Sequence, residues 1–250
     1  PVLAIIGREV LRMVRQRWRL LSALARPMIW LLVIGSGVDS MLGEVGSEDY
    51  QHFLAPGVLG MVILFGAVLV SLSVVYDKEF GVMRSLIVAP LQHYWIVLAK
   101  TISAAVVAVI QAGGLVLLLV ILGYIGKDTS ILLLVTALLA TALACASMGM
   151  LIAVWCSTLD NFAVTMNFVI FPVFFLSGAL YPVQKLPDVL RLVATANPFT
   201  YGVDLLKHAI LGRQVPIFGA DFSVTLDLTV LLGFTVIAVF VACLRFSHES

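Results

Sequence analysis

Four stretches of this sequence run for more than 20 residues without a charged side chain, and most of their residues are apolar. A helix needs about 20 apolar residues to cross the ~30 Å hydrocarbon layer of a bilayer. Only 12% of the whole chain is charged, against about 25% in soluble domains. The sequence therefore predicts an all-α membrane protein and excludes a water-soluble enzyme domain. The uncharged stretches are residues 53–76, 101–126, 129–159 and 161–184.

Two further spans are less clean because they carry charges near their ends. The first opens with Arg26 and holds Asp39, and the last has Asp227 in its first turn. We expect these side chains to reach the membrane interface. The chain is thus interpreted as one transmembrane domain over residues 1–250 with six membrane-crossing helices. The predicted spans are residues 23–42, 53–76, 98–124, 131–156, 161–181 and 224–244.

Residues 181–222 are apolar enough to suggest a seventh span, but they are interrupted by the charges Asp188, Arg191, Asp204 and Lys207 and by the prolines Pro182, Pro187 and Pro198. Four charges at mid-bilayer would cost about 10–14 kcal/mol, and proline interrupts a continuous helix. We instead expect a re-entrant pair of half-helices within residues 186–212, over about 187–194 and 198–211. Asn197-Pro198 is a typical helix start, with a capping side chain followed by proline at the first helical position.

The distribution of basic residues predicts the orientation of the chain. Lys and Arg are enriched in cytoplasmic loops. Residues 1–26 contain six arginines, whereas the loop between the first two spans contains no basic residue. The next loop carries Lys78, Arg84 and Lys100. With six spans, both termini are expected in the cytoplasm.

The first 22 residues have the pattern of an amphipathic helix. Four arginines recur at spacings of four, three and four residues, which places them on one helix face. Such a helix is expected to lie at the cytoplasmic interface against anionic lipid. It would also border a cytoplasmic partner. The four arginines are Arg8, Arg12, Arg15 and Arg19.

A short helix is predicted over residues 78–88, in the loop after the second span. Apolar side chains recur there at helical spacing, Asp77 precedes them as a cap, and Pro90 follows as a stop. One interpretation is a loop helix lying on the membrane surface. The other, which we favour, is a coupling helix whose apolar face fills a groove of a cytoplasmic partner. The proposed docking residues are Asp77, Lys78, Glu79, Phe80, Met83, Arg84 and Leu86.

No catalytic, nucleotide-binding or metal-binding motif is evident in the sequence. The one Gly-Lys pair lacks the glycine and hydroxyl residue of a phosphate-binding loop. The four histidines fall on different segments, and Asp204 and His208, one turn apart, are interpreted as a solvated face. A net charge of +1 gives no basis for nucleic-acid binding. We therefore expect no enzyme activity, cofactor, metal or nucleic acid, and any driving energy must come from elsewhere.

Two stretches resemble the permeases of type-2 ABC exporters, particularly the branch with nodulation-factor (lipo-oligosaccharide) and daunorubicin-resistance permeases. Residues 77–90, with Lys100 ten residues on, are similar to that family's coupling segment. Residues 175–204 carry its more specific pattern F-L-S-G-x-x-x-P, L-P and N-P-x-T-Y-x-x-D. The chain departs from the family at Lys78 and Arg84, where an arginine and an acid are usual, so its docking charges suit a particular partner.

The resemblance implies a complex of two permeases, a homodimer by expectation, with two cytoplasmic ATPase subunits that bind ATP and Mg²⁺. It implies a bacterial inner-membrane exporter of an amphiphilic, lipid-like or drug-like substrate. The alternatives are a permease for lipid-linked polysaccharide and, from a different class, a passive channel or scaffold. In the re-entrant segment the resemblance selects Pro187, Asn197, Pro198, Tyr201 and Asp204.

Overall fold

The structure is a computed structural model that describes residues 27–35, 47–81, 93–126, 129–211 and 220–248, together with Gly7, Ala25 and Gly37. Within these ranges the regular structure is helical, and no strand occurs. This all-α architecture confirms the fold class expected from the sequence.

Seven helices in the described ranges build the bundle, preceded by a helical segment with a π-helical turn at Trp30–Ile34. Four of them are long and apolar enough to cross a membrane, over Tyr50–Glu79, Tyr94–Ile121, Ile131–Trp155 and Val224–Ser247. In the described residues, the spans predicted at 23–42 and 161–181 do not contain a helix long enough to cross a membrane. The count of six crossings therefore stays a prediction. The helices are α1 (Ser47–Glu79), α2 (His93–Ile121), α3 (Ile131–Trp155), α4 (Leu159–Phe175), α5 (Asp188–Ala196), α6 (Pro198–Ile210) and α7 (Val224–His248).

Helix α4 is shorter than the predicted fifth span, which extended to residue 181. Its middle, Met166–Ile170, is π-helical and ends two residues before Pro172. Proline lacks an N–H group and its ring collides with the carbonyl four residues earlier, which favours such a bulge. After Phe175 the chain turns, and Gly178 takes a φ of 76°. The helix is therefore about 25 Å long.

Helix α3 lies at the centre of the bundle, in contact with α1, α2, α6 and α7. Most of α1 and α3 is buried, whereas only a small part of α7 is buried. The exposed side of α7 carries Val236, Ile237 and Phe240. An apolar outer face with a tightly packed interior is what a lipid environment requires, because lipid tails are as apolar as these side chains.

Two glycines allow α1 to pack closely against its neighbours. A Cβ at Gly57 would lie 2.1 Å from the carbonyl oxygen of Ala179, in the turn after α4. A Cβ at Gly149 of α3 would lie 2.7 Å from the hydroxyl of Ser71 on α1. Small residues permit this close backbone approach between helices.

Replacing Gly57 by alanine should destabilise the bundle, because the new methyl group meets backbone atoms that cannot rotate away. Overpacking of this kind costs about 1–3 kcal/mol. The matched control is Gly113→Ala in α2, where an added Cβ meets nothing within 4 Å. Thermal unfolding of the detergent-purified variants should show a lower midpoint for Gly57→Ala alone. Equal midpoints would contradict the close packing.

Candidate functional site

The bundle has two polar clusters at opposite ends of α1. The first is built around Asp77, near the end of that helix. Its Oδ2 accepts a 2.7 Å hydrogen bond from Lys100 Nζ, in a buried ion pair that joins α1 to α2. Lys100 Nζ also donates to the hydroxyl of Ser73, at 3.1 Å. Both charged groups are largely shielded from solvent, so each depends on the other.

The next two residues of α1 join it to the connection between α3 and α4. Lys78 Nζ donates to the carbonyl oxygen of Val154 at 2.7 Å, and Glu79 Oε2 accepts from the backbone N–H of Leu159 at 2.8 Å. Val154 is in the last turn of α3 and Leu159 is the first residue of α4. Helix ends leave such backbone groups without intrahelical partners. The two charged side chains therefore fasten α1 to the end of one helix and the start of another.

Helix α1 ends immediately after these contacts. The ring of Phe80 lies 4.3 Å from that of Tyr76, and Gly81 takes a φ of 72° while its N–H donates to the carbonyl of Lys78. A left-handed glycine is a common helix stop. The sequence interpretation of Asp77 as the cap of a new helix is therefore wrong, since Asp77, Lys78 and Glu79 form the last turn of α1. The charges fit inside that helix because neighbouring helices supply their partners.

Several residues selected from the sequence lie outside the described ranges. They are Arg8, Arg12, Arg15, Arg19, Met83, Arg84 and Leu86. Of the docking residues that the structure describes, Asp77 is buried while Glu79 and Phe80 are exposed. The docking role of the whole set stays a prediction.

Breaking the Asp77–Lys100 pair on one side should destabilise the protein strongly. Lys100→Met leaves Asp77 buried without its main cation, a change that costs about 3–5 kcal/mol. Adding Asp77→Leu removes the stranded charge, so the double variant should be more stable than the single variant. Thermal unfolding in detergent measures both. A double variant as unstable as the single one would show that the pair is not coupled.

The second cluster begins at the corner between α5 and α6, which the motif Asn197-Pro198-Phe199-Thr200-Tyr201 builds. The side chain of Asn197 accepts from the N–H of Phe199 and donates to the carbonyl of Val173, at 3.0 and 2.7 Å. The predicted cap at Asn197, with Pro198 at the first helical position, is confirmed. The hydroxyl of Tyr201 donates to the carbonyl of Thr195. The side chains of Asn197 and Tyr201 thus bind backbone groups at the helix ends.

Helices α5 and α6 lie close to the ranges expected from the sequence. Helix α5 follows Pro187 and runs from Asp188 to Ala196, and α6 runs from Pro198 to Ile210. Helix α6 is almost wholly buried and packs against α3, α7 and α1. Its position is therefore fixed by the bundle, not by the loops on either side.

Asp204 of α6 joins that helix to the segment before α7. Its two carboxylate oxygens accept from the backbone N–H groups of Asp221 and Phe222, at 2.7 and 2.8 Å. The side chain is 2% exposed. The solvated face expected from the sequence is therefore wrong, because residues 220–223 fold over it. No sequence pattern indicates that cover.

Four more charged or titratable side chains surround Asp204. Lys207 Nζ lies 3.9 Å from Asp221 Oδ2 and 4.7 Å from the centre of the Phe53 ring. His208 Nε2 lies 3.8 Å from Asp204 Oδ2 and 3.9 Å from Asp227 Oδ2. Asp227 is fully buried, so the expectation that it reaches the interface is wrong. The sequence identifies Asp227 as an acid in α7 but gives no sign that α6 packs against that helix.

Burial opposes both charges on α6. It raises the pKa of the Asp204 carboxyl, although the two backbone N–H donors and the Lys207 charge act in the opposite direction. Burial likewise lowers the pKa of the Lys207 ammonium, against the attraction of Asp221 and Asp204. The hydrogen-bond donors and the opposite charges thus favour the charged forms, which burial opposes.

The family model and the individual relatives that match this chain agree with one another. Residues 2–211 match the family model described as ABC-2 type transporter. Nodulation protein J of Rhizobium leguminosarum bv. trifolii is 31% identical over 198 residues, covering 78% of this chain and 75% of the relative. Its counterpart in Neorhizobium galegae is 28% identical, covering 89% and 83%.

A third relative is described as a probable multidrug ABC transporter permease, YbhR, of Escherichia coli (strain K12). It is 31% identical over 165 residues, covering 65% of this chain and 45% of the relative. The family model's segment, residues 2–211, contains α1 to α6 with the Asp77 cluster and Asp204, Lys207 and His208. Asp221 and Asp227 lie in the unmatched remainder, with α7. A match over most of the chain, together with four membrane-capable helices, identifies a multi-pass membrane transport subunit. The chain belongs to the ABC-2 type transporter family.

Proposed function

We propose that this chain is the transmembrane subunit of an ATP-driven exporter that moves an amphiphilic, lipid-like or drug-like substrate out of the cytoplasm or the inner leaflet. Family membership supports the transport role, and the multidrug permease among the relatives supports a hydrophobic cargo. The interiors of the predicted spans carry few charged side chains. Such surroundings favour an amphiphile over a free ion.

The proposed complex contains two copies of this permease and two cytoplasmic ATPase subunits, which hold ATP and Mg²⁺. We place it in a bacterial inner membrane, with both termini in the cytoplasm and six crossings. Residues 1–22 form the interfacial helix, residues 78–88 the coupling segment, and residues 186–212 a re-entrant pair. The positive-inside pattern and the family resemblance support this arrangement.

One observation carries the mechanism: the last turn of α1 is bound to three other helices through charged side chains. Asp77 binds Lys100 of α2, and Lys78 and Glu79 bind the end of α3 and the start of α4. A partner that pushes on the loop after Gly81 would therefore move four helices together. Closure of the ATPases would thus shift the permease between two arrangements.

The proposal is tested by purifying the chain together with its ATP-binding partner subunit and placing the complex in lipid vesicles. We expect ATP hydrolysis, and export of a fluorescent amphiphile only when ATP is supplied. The permease alone is the control and should move nothing. Solute movement through the permease alone would instead indicate the passive channel.

Two substitutions of Glu79 separate partner docking from the internal contact. Glu79→Gln keeps an oxygen that accepts from Leu159 but removes the charge, whereas Glu79→Lys removes both. If Glu79 docks the partner through its charge, both variants should lose about tenfold or more of the ATP-dependent export; Arg84→Glu should do the same. If only the internal contact matters, Glu79→Gln should remain active. Full activity of all three variants would remove the docking proposal.

A further inference from the structure

The Asp204 end of the bundle concentrates more negative than positive charge in a buried place. The side chains of Asp204, Asp221 and Asp227 are each at most 5% exposed. Within the described ranges, Lys207 is the one buried cation next to these three carboxyl groups. The cluster therefore holds more acidic than basic side chains. Burying a carboxylate is costly unless a cation or hydrogen-bond donors compensate it.

Asp227 is the acid of this cluster that lacks hydrogen bonds in the described part of the chain. Neither of its carboxylate oxygens has a hydrogen-bond partner among the described residues, and neither is accessible to solvent. Asp204 differs, because both of its oxygens accept backbone N–H groups. His208 Nε2 lies 3.9 Å from Asp227 Oδ2, beyond hydrogen-bond distance. A buried carboxyl group without a hydrogen-bond partner is uncommon in proteins.

We propose that Asp204, His208 and Asp227 bind a divalent transition-metal ion of the Zn²⁺ class. The three side chains offer one nitrogen and two oxygen ligand atoms, all within 4.8 Å of one another. Zn²⁺ is typically bound by imidazole nitrogen and carboxylate oxygen at about 2.0–2.2 Å. One divalent ion would add positive charge beside three carboxyl groups and a single ammonium. The site is independent of the proposed transport activity and of any partner subunit.

The position of the imidazole fits this role. His208 Nε2 lies 2.8 Å from the carbonyl oxygen of Phe222, and because a carbonyl only accepts, Nε2 carries the hydrogen there. Metal binding requires the neutral ring with its hydrogen on Nδ1, so the proton moves from one ring nitrogen to the other through solvent. His208 is 25% exposed, which gives water and the ion a route to the ring. The carbonyl of Phe222 is then free to act as a further oxygen ligand.

The combination of one imidazole nitrogen and two carboxylate oxygens also favours some metal ions over others. Mg²⁺ and Ca²⁺ prefer sites made of oxygen ligands alone, whereas an imidazole favours Zn²⁺ and Co²⁺. The ligands come from two helices, Asp204 and His208 from α6 and Asp227 from α7. A bound ion would therefore fasten α6 to α7.

The test uses the full-length permease in detergent, purified with a tag that lacks histidine and stripped with a chelator. Co²⁺ is titrated as a spectroscopic probe, because its visible absorption reports tetrahedral nitrogen and oxygen coordination. We expect saturation at one ion per chain, displacement by Zn²⁺, and no displacement by Mg²⁺. Absence of a saturable visible band, or equal competition by Mg²⁺, would overturn the site.

Variants locate the ion. Asp227→Asn and His208→Gln should weaken Co²⁺ binding by at least about tenfold, while Asp188→Asn, an exposed acid on α5, should bind as the wild type does. Asp227→Asn removes a buried charge, so its metal-free thermal midpoint should equal or exceed that of the wild type. Zn²⁺ should raise the wild-type midpoint only. A midpoint that rises on acidification but not with Zn²⁺ would show that a proton occupies Asp227, and would overturn the proposal.

Discussion

Every charged group in the interior of this bundle has to find its partner within the protein, because the hydrocarbon layer offers none. This constraint explains why the buried charges occur in clusters at the helix ends. Asp77 pairs with Lys100 across two helices, and Asp204 binds the backbone before α7. The apolar surface can then face lipid along the whole length of α7. The same constraint makes each cluster sensitive to the loss of one member.

The two clusters differ in how completely they are satisfied. At the Asp77 end, each of the three charged residues that close α1 has a partner within hydrogen-bond distance. At the Asp204 end, the carboxylate of Asp227 has no such partner in the described part of the chain. Natural proteins seldom leave a buried polar group without a hydrogen-bond partner. The first cluster is therefore a structural joint, whereas the second has the composition of a binding site.

Much of the fold could be predicted from the sequence, because its strongest signals are local. Uncharged apolar runs give the long helices, and Asn197-Pro198 gives the start of α6. The errors concern tertiary partners. Asp77 was interpreted as a cap because a charge after an apolar run usually ends a helix, yet Lys100 allows the helix to continue. Asp204 and Asp227 were placed near solvent because no local pattern shows which segment covers a side chain.

Helix α1 connects the two clusters and sets how they can influence each other. Phe53 lies under Lys207 near its start and Asp77 pairs with Lys100 near its end. These residues are 24 positions apart, or about 36 Å along a helix axis. Between them, Gly149 brings the backbone of α3 against α1, while Gly57 brings α1 against the turn after α4. Closely packed helices move as rigid bodies, because a bend would open voids and lose contacts. A displacement at the Asp77 end would therefore reach the Asp204 end as a shift of α1 beneath α6, and the strength of the link between α6 and α7 would decide whether those two helices follow it.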